Sequence, residues 1–502
     1  MKRKICRYEL DKEQKKIVKN NDKYILVTAG AGSGKTLTIL GKIDYLINDK
    51  KYNKDEILCI SFTKASSESL KQKIKDEFNL DIDVYTFHKL AFTILKQNKV
   101  KFKITSNDTL EFIIHEFFYS TVLNNKKMMK LILKYFGVRY KKKDDYINFL
   151  ENEEIVLFES LIETFIRFFK CNNYSIKDFS NFKKKINIFN YKKERIFLII
   201  TLNIYLMYQN HLLINHEIDF DDMIIKATEC IDIKGIKRKY KYIIIDEYQD
   251  TSYIRFKLIK NIIDKTNSKL MVVGDDFQSI YRFTGCDISL FLNFKKYFNK
   301  SKIMKINNTY RNSQELINVA SSFIMKNNKQ IKKKLKSNKH IKKPIKIIYY
   351  QNIRLEFIKL INKIYNETKK EILILGRNNK DICMILNNDF KLDADNLIYL
   401  KNKNIKMKYM TVHKSKGLES DNVIIINLED KLLGFPNKIK DDKLLRFVKK
   451  DYEKYPYSEE RRLFYVALTR TKNNVYLLTK RNNESIFIKE LLNNYKNKIE
   501  II

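Results

Sequence analysis

The chain has 502 residues, 44% of them hydrophobic, enough for several buried cores, and its length predicts two to four domains. Lys and Arg number 99 against 59 Asp and Glu, a formal charge of +40 that favours a polyanionic partner such as nucleic acid. The six cysteines, Cys6, Cys59, Cys171, Cys230, Cys286 and Cys383, are dispersed without a C-x-x-C pair, which argues against zinc and iron–sulfur sites and fits a reducing compartment. Abundant Lys, Asn and Ile beside absent Trp also suit an AT-rich coding sequence, so the charge supports nucleic-acid binding without carrying it. The N-terminal MKRKICRYELDKEQ has no apolar stretch after its basic residues, and no uncharged run reaches the ~20 residues of a membrane span. A cytoplasmic protein without membrane contact is the expectation.

In chain order, residues 9–18 read as a short helix carrying Gln14. The apolar run 24–28 then reads as a strand, entering the glycine-rich turn Ala29, Gly30, Ala31, Gly32, Ser33, Gly34, Lys35, Thr36, and helical spacing resumes at Leu37, Ile39, Leu40 and Ile43. Strand, glycine turn and helix form the context of a phosphate-binding loop. Backbone N–H groups converge there on phosphate oxygens, Lys35 adds a point charge, and Thr36 a hydroxyl for Mg²⁺. A second strand, 57–62, leads into a helix with Thr63 or Ser66 as cap, and 84–88 reads as a third strand end. Residues 96–214 are helical, lysine-rich and aromatic-rich. Their aromatics recur at helical spacing and so read as core, with nucleic-acid stacking as the alternative.

The α/β pattern returns at 218–224, and buried strands end in DEYQDTS (246–252) and DDFQSIYRF (275–283). After residue 300 the alternation restarts through MKINNTYRN, PIKIIYY, EILILGR, DNVIIINL and NVYLLTK, which implies a second parallel-sheet core. The fold class is therefore α/β, with phosphate loop and acidic pairs beyond the carboxyl ends of their strands. Asp246 and Glu247 supply what ATP hydrolysis asks of carboxylates: one to hold Mg²⁺, one to orient or deprotonate water.

The chain resembles the UvrD/Rep family of superfamily 1 DNA helicases in ten ordered segments. These are Gln14, AGAGSGKT (29–36), SFTKAS (61–66), TFH (86–88), IDFDDM (218–223), DEYQDTS, GDDFQSIYRF (274–283), TYRNSQEL (309–316), TVHKSKGLE (411–419) and EERRLFYVALTRTK (459–472). The resemblance implies two RecA-like P-loop cores in tandem with a helical insertion in the first: residues 1–95 and 215–302 as the first core, 96–214 as the insertion, 303–502 as the second core. It implies ATP and Mg²⁺ as cofactors, with Gln14 reading adenine, Tyr310 stacking on it and Glu419 meeting the ribose. Lys35, Thr36 and Asp246 would hold phosphates and Mg²⁺, Glu247 would act on water, Gln278 would sense the γ-phosphate, and Arg311 and Arg470 would serve as arginine fingers. Phe62, His88 and Phe283 would stack on single-stranded DNA, with core packing the alternative for both phenylalanines. Thr63, Thr86, Thr411 and His413 would contact phosphates.

Three departures accompany the resemblance. Leu37 follows the loop threonine where the family often has Arg, and Thr284 stands where an Arg usually follows the aromatic, leaving open whether Arg282 replaces it. Only about 34 positions separate Arg377 from Thr411, so the large insertion of typical second cores is missing or vestigial. The expected function is an ATP-dependent helicase or translocase on single-stranded, tailed or forked DNA, 3′→5′ by family. The alternatives are a DNA-stimulated ATPase subunit beside a nuclease or repair protein, and an RNA-binding module, for which no RNA-binding signature is present.

Overall fold

The computed structural model describes residues 4–5, 7–186, 190–450 and 453–502. Cys6 lies outside them; the other five cysteines are free thiols. Among the described residues the strands, in chain order, are β1 (Tyr24–Ala29), β2 (Ile57–Ile60), β3 (Asp83–Tyr85), β4 (Lys103–Ile104), β5 (Glu217–Ile218), β6 (Tyr242–Ile245), β7 (Lys269–Gly274), β8 (Lys302–Ile306), β9 (Ile345–Tyr350), β10 (Ile372–Gly376), β11 (Phe390–Asp393), β12 (Asn396–Tyr399), β13 (Met407–Thr411), β14 (Asn422–Ile425), β15 (Val475–Lys480) and β16 (Glu500–Ile501).

The first sheet, ordered β3-β2-β6-β7-β1-β8, is parallel throughout. Its strands are apolar on both faces because helices cover both. Leu26, Leu58, Ile60, Ile243, Ile245, Leu270 and Val272 pack into one core, and the alternating Ile25, Val27, Ile57, Cys59, Ile244, Met271 and Val273 into another. The second sheet, β11-β12-β13-β10-β14-β15-β9-β16, is parallel from β13 to β16 with β11 and β12 antiparallel at one edge; Ile347, Leu373, Leu375, Ile425 and Leu477 face one way, Ile348, Ile372, Ile374, Ile424 and Leu478 the other. Two α/β sheets in tandem are thus present, as the alternation predicts. Strand β8 corrects the expected boundary at 302/303. It pairs with β1 from Ile25↔Lys302 to Ala29↔Ile306, so the first sheet claims it and the chain crosses over only afterwards. Residues 84–88 also resolve differently from expectation. β3 stops at Tyr85, Thr86 caps a helix (its Oγ1 accepts from Lys89 N–H at 3.2 Å), and His88 lies on that helix, Phe87–Gln97.

Helices Thr109–Tyr119, Lys126–Phe136, Lys143–Phe149, Glu153–Cys171, Asp178–Lys184 and Tyr191–Ile214 form a separate layer. Most of its aromatics, among them Phe118, Phe158, Phe165, Phe169, Phe182 and Phe197, are core, while Phe112 and Tyr191 are exposed. Tyr191–Ile214 is long and apolar enough by length and composition to cross a membrane, and it packs Phe197, Ile200, Ile204 and Tyr208 into this core. A hook from the second half of the chain completes the core: Leu444, Leu445, Phe447 and Val448 are buried in it. Asn172 donates its side-chain amide to the Val448 carbonyl at 2.9 Å, and the Phe447 ring lies 5.9 Å from that of Phe182. Phe447→Ala is expected to cost about 3–5 kcal/mol, the usual penalty for emptying a buried phenylalanine site. A lowered first thermal transition in calorimetry checks it.

Between Arg377 and Thr411 the chain makes only the 3₁₀ segment Asn379–Met384 and the hairpin β11–β12 ahead of β13. That is the full extent of any insertion at this point.

Candidate functional site

Every carboxyl end of the first sheet's central strands opens onto one cleft of about 410 Å³ between the two sheets. The loop after β1 supplies Ala31 to Thr36, the turn after β6 supplies Asp246, Glu247 and Asp250, and the turn after β7 supplies Gln278. Across from them lie Arg311, Lys416, Gly417 and Arg470. The loop's shape depends on glycine at two places: Gly32 and Gly34 have φ of +68° and +77°, a region costly for residues with a Cβ. A Cβ on Gly32 would also come within 2.4 Å of Arg311 Cβ, because Thr309 Oγ1 donates to Ala31 O at 2.7 Å and Tyr310 N–H to Gly32 O at 2.9 Å. The segment carrying Arg311 is therefore stitched directly to the phosphate loop.

Lys35 forms an ion pair with Glu247 across the cleft. Burial pulls the Lys35 ammonium down, and the carboxylates of Glu247, Asp246 and Asp275 outweigh it, leaving its pKa above the ordinary lysine value. Burial likewise tends to raise Glu247, but the Lys35 and Lys416 ammoniums win and hold it at about 2. Burial, then the Glu247 charge, pushes Asp246 up to about 6. Glu247 has φ +52°, a left-handed conformation unusual for a residue with a side chain, and such strain gathers at sites that need one orientation. Asp246 Oδ1 accepts the Glu247 N–H at 2.9 Å, fixing the two carboxylates in different directions.

Gln278 donates to Asp275 Oδ2 at 2.6 Å and accepts from Arg470 Nη2 at 3.2 Å. Arg470 is 1% exposed and braced by Val466 O at 3.0 Å and Leu418 O at 3.1 Å; burial, then Arg311, lowers its pKa to about 9. Arg311 Nε donates to Glu419 Oε2 at 2.7 Å, and Lys472 pairs with the same carboxylate at 3.1 Å. Glu419 is therefore held by two cations at the edge of the cleft. Gln14 is fully buried; its Oε1 caps its own helix through Asp11 N–H at 3.0 Å, and its Nε2 donates to Ser33 O at 3.3 Å and Gly34 O at 3.4 Å. Tyr310 is 63% exposed at the rim, its hydroxyl donating to Asp11 at 3.0 Å.

The residues fit a nucleoside triphosphate with a divalent cation. Ser33 Oγ and Asp250 Oδ1 are buried polar atoms without a hydrogen-bond partner in the protein, and the oxygens of Thr36 and Asp246 form the hard donor set that Mg²⁺ prefers.

Two further concavities share Phe283, which is 59% exposed, as a lining residue. His88, Phe220, Arg167 and Arg255 line one; Arg377, Thr411, His413, Lys438 and Lys440 line the other. His413 meets Phe283 edge-on at 5.3 Å, and His88 meets Phe220 at 5.2 Å. Phe62 and Thr63 are not brought here. They line the nucleotide cleft, where Phe62 stacks on Tyr281 at 5.5 Å beneath the Arg255 guanidinium at 4.9 Å, and Thr63 Oγ1 caps the helix Lys64–Phe78. Arg282 donates its backbone N–H to Glu459 at 2.9 Å and lies 3.9 Å from Asp441.

Sequence reasoning missed Tyr281, Lys416, Asp250 and Arg255. Tyr281 joins the two sites: its ring touches Phe62, Phe283 and His413, and Lys416 lies 5.0 Å over it while pairing with Asp250 at 2.5 Å. Both Tyr281 and Lys416 sit inside quoted motifs, so the signal was present, though their contacts are tertiary.

Burial lowers the His88 and His413 pKa values to about 4, from 6.5, with neighbouring cations adding to it. The unfolded chain binds protons at these imidazoles before the folded chain does, so stability falls as pH drops from 6.5 towards 4. The variant His88→Gln/His413→Gln is expected to flatten that part of a plot of melting temperature against pH.

Residues 10–299 match the UvrD/REP helicase N-terminal domain, and residues 383–482 the UvrD-like helicase C-terminal domain. The chain is 28% identical to DNA helicase IV of Escherichia coli (strain K12) over 96% of its own length and 70% of that protein. It is 29% identical to ATP-dependent DNA helicase Rep of Buchnera aphidicola subsp. Acyrthosiphon pisum, over 84% of itself and 61% of Rep. To ATP-dependent DNA helicase PcrA of Bacillus subtilis (strain 168) it is 28% identical, over 68% of itself and 42% of PcrA. Phosphate loop, acidic turn and opposed arginines thus stand in a chain that belongs to the UvrD/REP family of ATP-hydrolysing DNA helicases.

Proposed function

We propose that the chain is a DNA-dependent ATPase that drives movement along single-stranded DNA, 3′→5′, and separates tailed or forked duplexes. The observation that carries this is the meeting of Lys35, Glu247 and Gln278 from the first sheet with Arg311 and Arg470 in one cleft. The units are the first core (residues 1–95 and 215–306), a helical insertion (96–214) and the second core from 307 onward.

Lys35 and the loop N–H groups bind the outer phosphates, and Tyr310 packs on the base at the rim. Thr36 and Asp246 would hold Mg²⁺, which when bound would neutralise phosphate charge. Glu247, freed from Lys35 once phosphate takes that ammonium, orients and deprotonates the attacking water. Arg311, released from Glu419, and Arg470 neutralise charge developing on the transferring group. The fingers come from beyond the crossover, so hydrolysis is fast only when the cores close. Gln278 touches Arg470, and its segment continues through Tyr281 to Phe283, which links closure to the DNA groove. Phe283 and His88 stack on bases without sequence preference, and Thr411, His413 and the surrounding lysines meet phosphates.

The short hairpin in place of a large second-core insertion favours one second reading: an ATPase that senses DNA or serves a nuclease or repair partner without unwinding strongly. Strand separation of a 3′-tailed duplex, beside 5′-tailed and blunt controls, decides. Unwinding of the 3′-tailed substrate alone establishes the helicase; DNA-stimulated ATPase without unwinding establishes the sensor. Phe283→Ala is expected to weaken single-strand binding by about 1–3 kcal/mol at fixed salt, the scale of one base–aromatic stack, as read by fluorescence anisotropy.

A further inference from the structure

We propose that Lys333 is a positioning residue for ATP hydrolysis: it holds Asp275, which fixes the Gln278 amide and, through it, the Arg470 guanidinium. The inference rests on the ATPase reading above and adds a residue outside the family motifs quoted for this chain. Lys333 is carried by an irregular strap, residues 326–343, between helix Gln314–Ile324 and β9. It is 3% exposed, and Asp275 and Asp276 are both at 0%. Its ammonium pairs with Asp275 Oδ1 and lies 2.6 Å from Asp276 Oδ1, 4.0 Å from the centre of the Phe277 ring. The other oxygen of Asp275 accepts from Gln278 Nε2 at 2.6 Å, and Gln278 Oε1 accepts from Arg470 Nη2 at 3.2 Å. A continuous buried chain therefore runs Lys333, Asp275, Gln278, Arg470.

The strap is itself tied to the phosphate loop. Leu335 fills the space beside Gly30, where an added Cβ would meet its methyl carbons at 2.8 Å. Ile331 N–H donates to Asp276 Oδ2 at 2.8 Å, and Lys336 N–H to Asn307 O at 2.8 Å. Burial acts to discharge Lys333, but Asp275 and Asp276 outweigh it and raise its pKa, so it stays charged at neutral pH. Without that charge Asp275 keeps on Oδ1 the Phe277 N–H at 3.1 Å, and the carboxylate that orients the Gln278 amide loses its charged anchor.

The test is a kinetic cycle on the full chain with saturating single-stranded oligonucleotide. Lys333→Met is combined with Asp276→Asn so that the formal charge of the buried cluster is unchanged. It is measured in the wild-type and Gln278→Ala backgrounds for kcat, for affinity towards a fluorescent ATP analogue, and for melting temperature. Loss of one preorganised group predicts a fall in kcat of about 100-fold with affinity held within about threefold. In the Gln278→Ala background the same substitution is expected to cost less than about twofold more, because both act through one amide. If the double variant does not fold, Lys333→Arg, which keeps the charge but moves its donors, goes through the same cycle with a kcat loss of about fivefold and the same non-additivity. A folded variant with near wild-type kcat overturns the positioning role. So do additive losses, or a joint fall of kcat and affinity. Absence of ATP hydrolysis in the wild-type chain overturns the ATPase reading itself, which separates the two failures.

Discussion

Lys35→Ala is expected to abolish ATP hydrolysis, by about 10³-fold or more, while the chain stays folded. Removing a preorganised cation aimed at developing phosphate charge costs this much, because in a closed cleft nothing replaces it. The substitution has a second effect specific to this site. Lys35 is the partner of Glu247, and without it only Lys416 remains among the two ammoniums that hold that carboxylate down. The remaining carboxylate therefore moves up towards the ordinary glutamate value, and ATP binding weakens along with turnover. Phosphate release measured beside circular dichroism checks both halves. A folded variant that still hydrolyses ATP at near wild-type rate removes the cleft from consideration as the active site.

Arg470→Ala should separate turnover from binding. The guanidinium is buried, braced by two carbonyls and by Gln278, and so is preorganised for charge that appears only during transfer. A finger of this kind is worth about 10³-fold or more in kcat, whereas ATP affinity is expected to change by about threefold or less. Leaving the Leu418 carbonyl and the Gln278 amide without their donor costs a further 1–3 kcal/mol or so of stability, visible as a lowered melting temperature. Arg470→Lys does not restore turnover, since an ammonium cannot reproduce three divergent donors. Equal losses in kcat and affinity would instead make Arg470 a ground-state ligand.

Much of this architecture is legible in the sequence because local pattern and tertiary role coincide. The run 24–28, the glycine turn and the helix after it form one continuous unit, and β-prone runs ending in acidic pairs mark strand ends at a cleft. Where the two part company, the sequence misleads. Residues 302–306 look like the first strand of a new set, but their hydrogen bonds go back to β1, and only the partner decides that. Thr86 reads as part of a strand end at 84–88, yet its hydroxyl caps the helix that starts at Phe87. The contact of Phe62 with Tyr281 in the nucleotide cleft joins two separate motifs, and no local pattern announces it. The hook at 444–448 and the strap lysine, Lys333, carry no periodicity of their own; each acquires meaning from a surface more than fifty residues away.

The most direct test of the central claim is steady-state ATP hydrolysis by the purified full chain with Mg²⁺, with and without a single-stranded DNA oligonucleotide, beside Glu247→Gln. Hydrolysis is expected to rise at least about tenfold with DNA and to disappear in Glu247→Gln, since the cores must close and the water must lose its proton to that carboxylate. Hydrolysis indifferent to DNA, or undiminished in Glu247→Gln, would contradict the central claim.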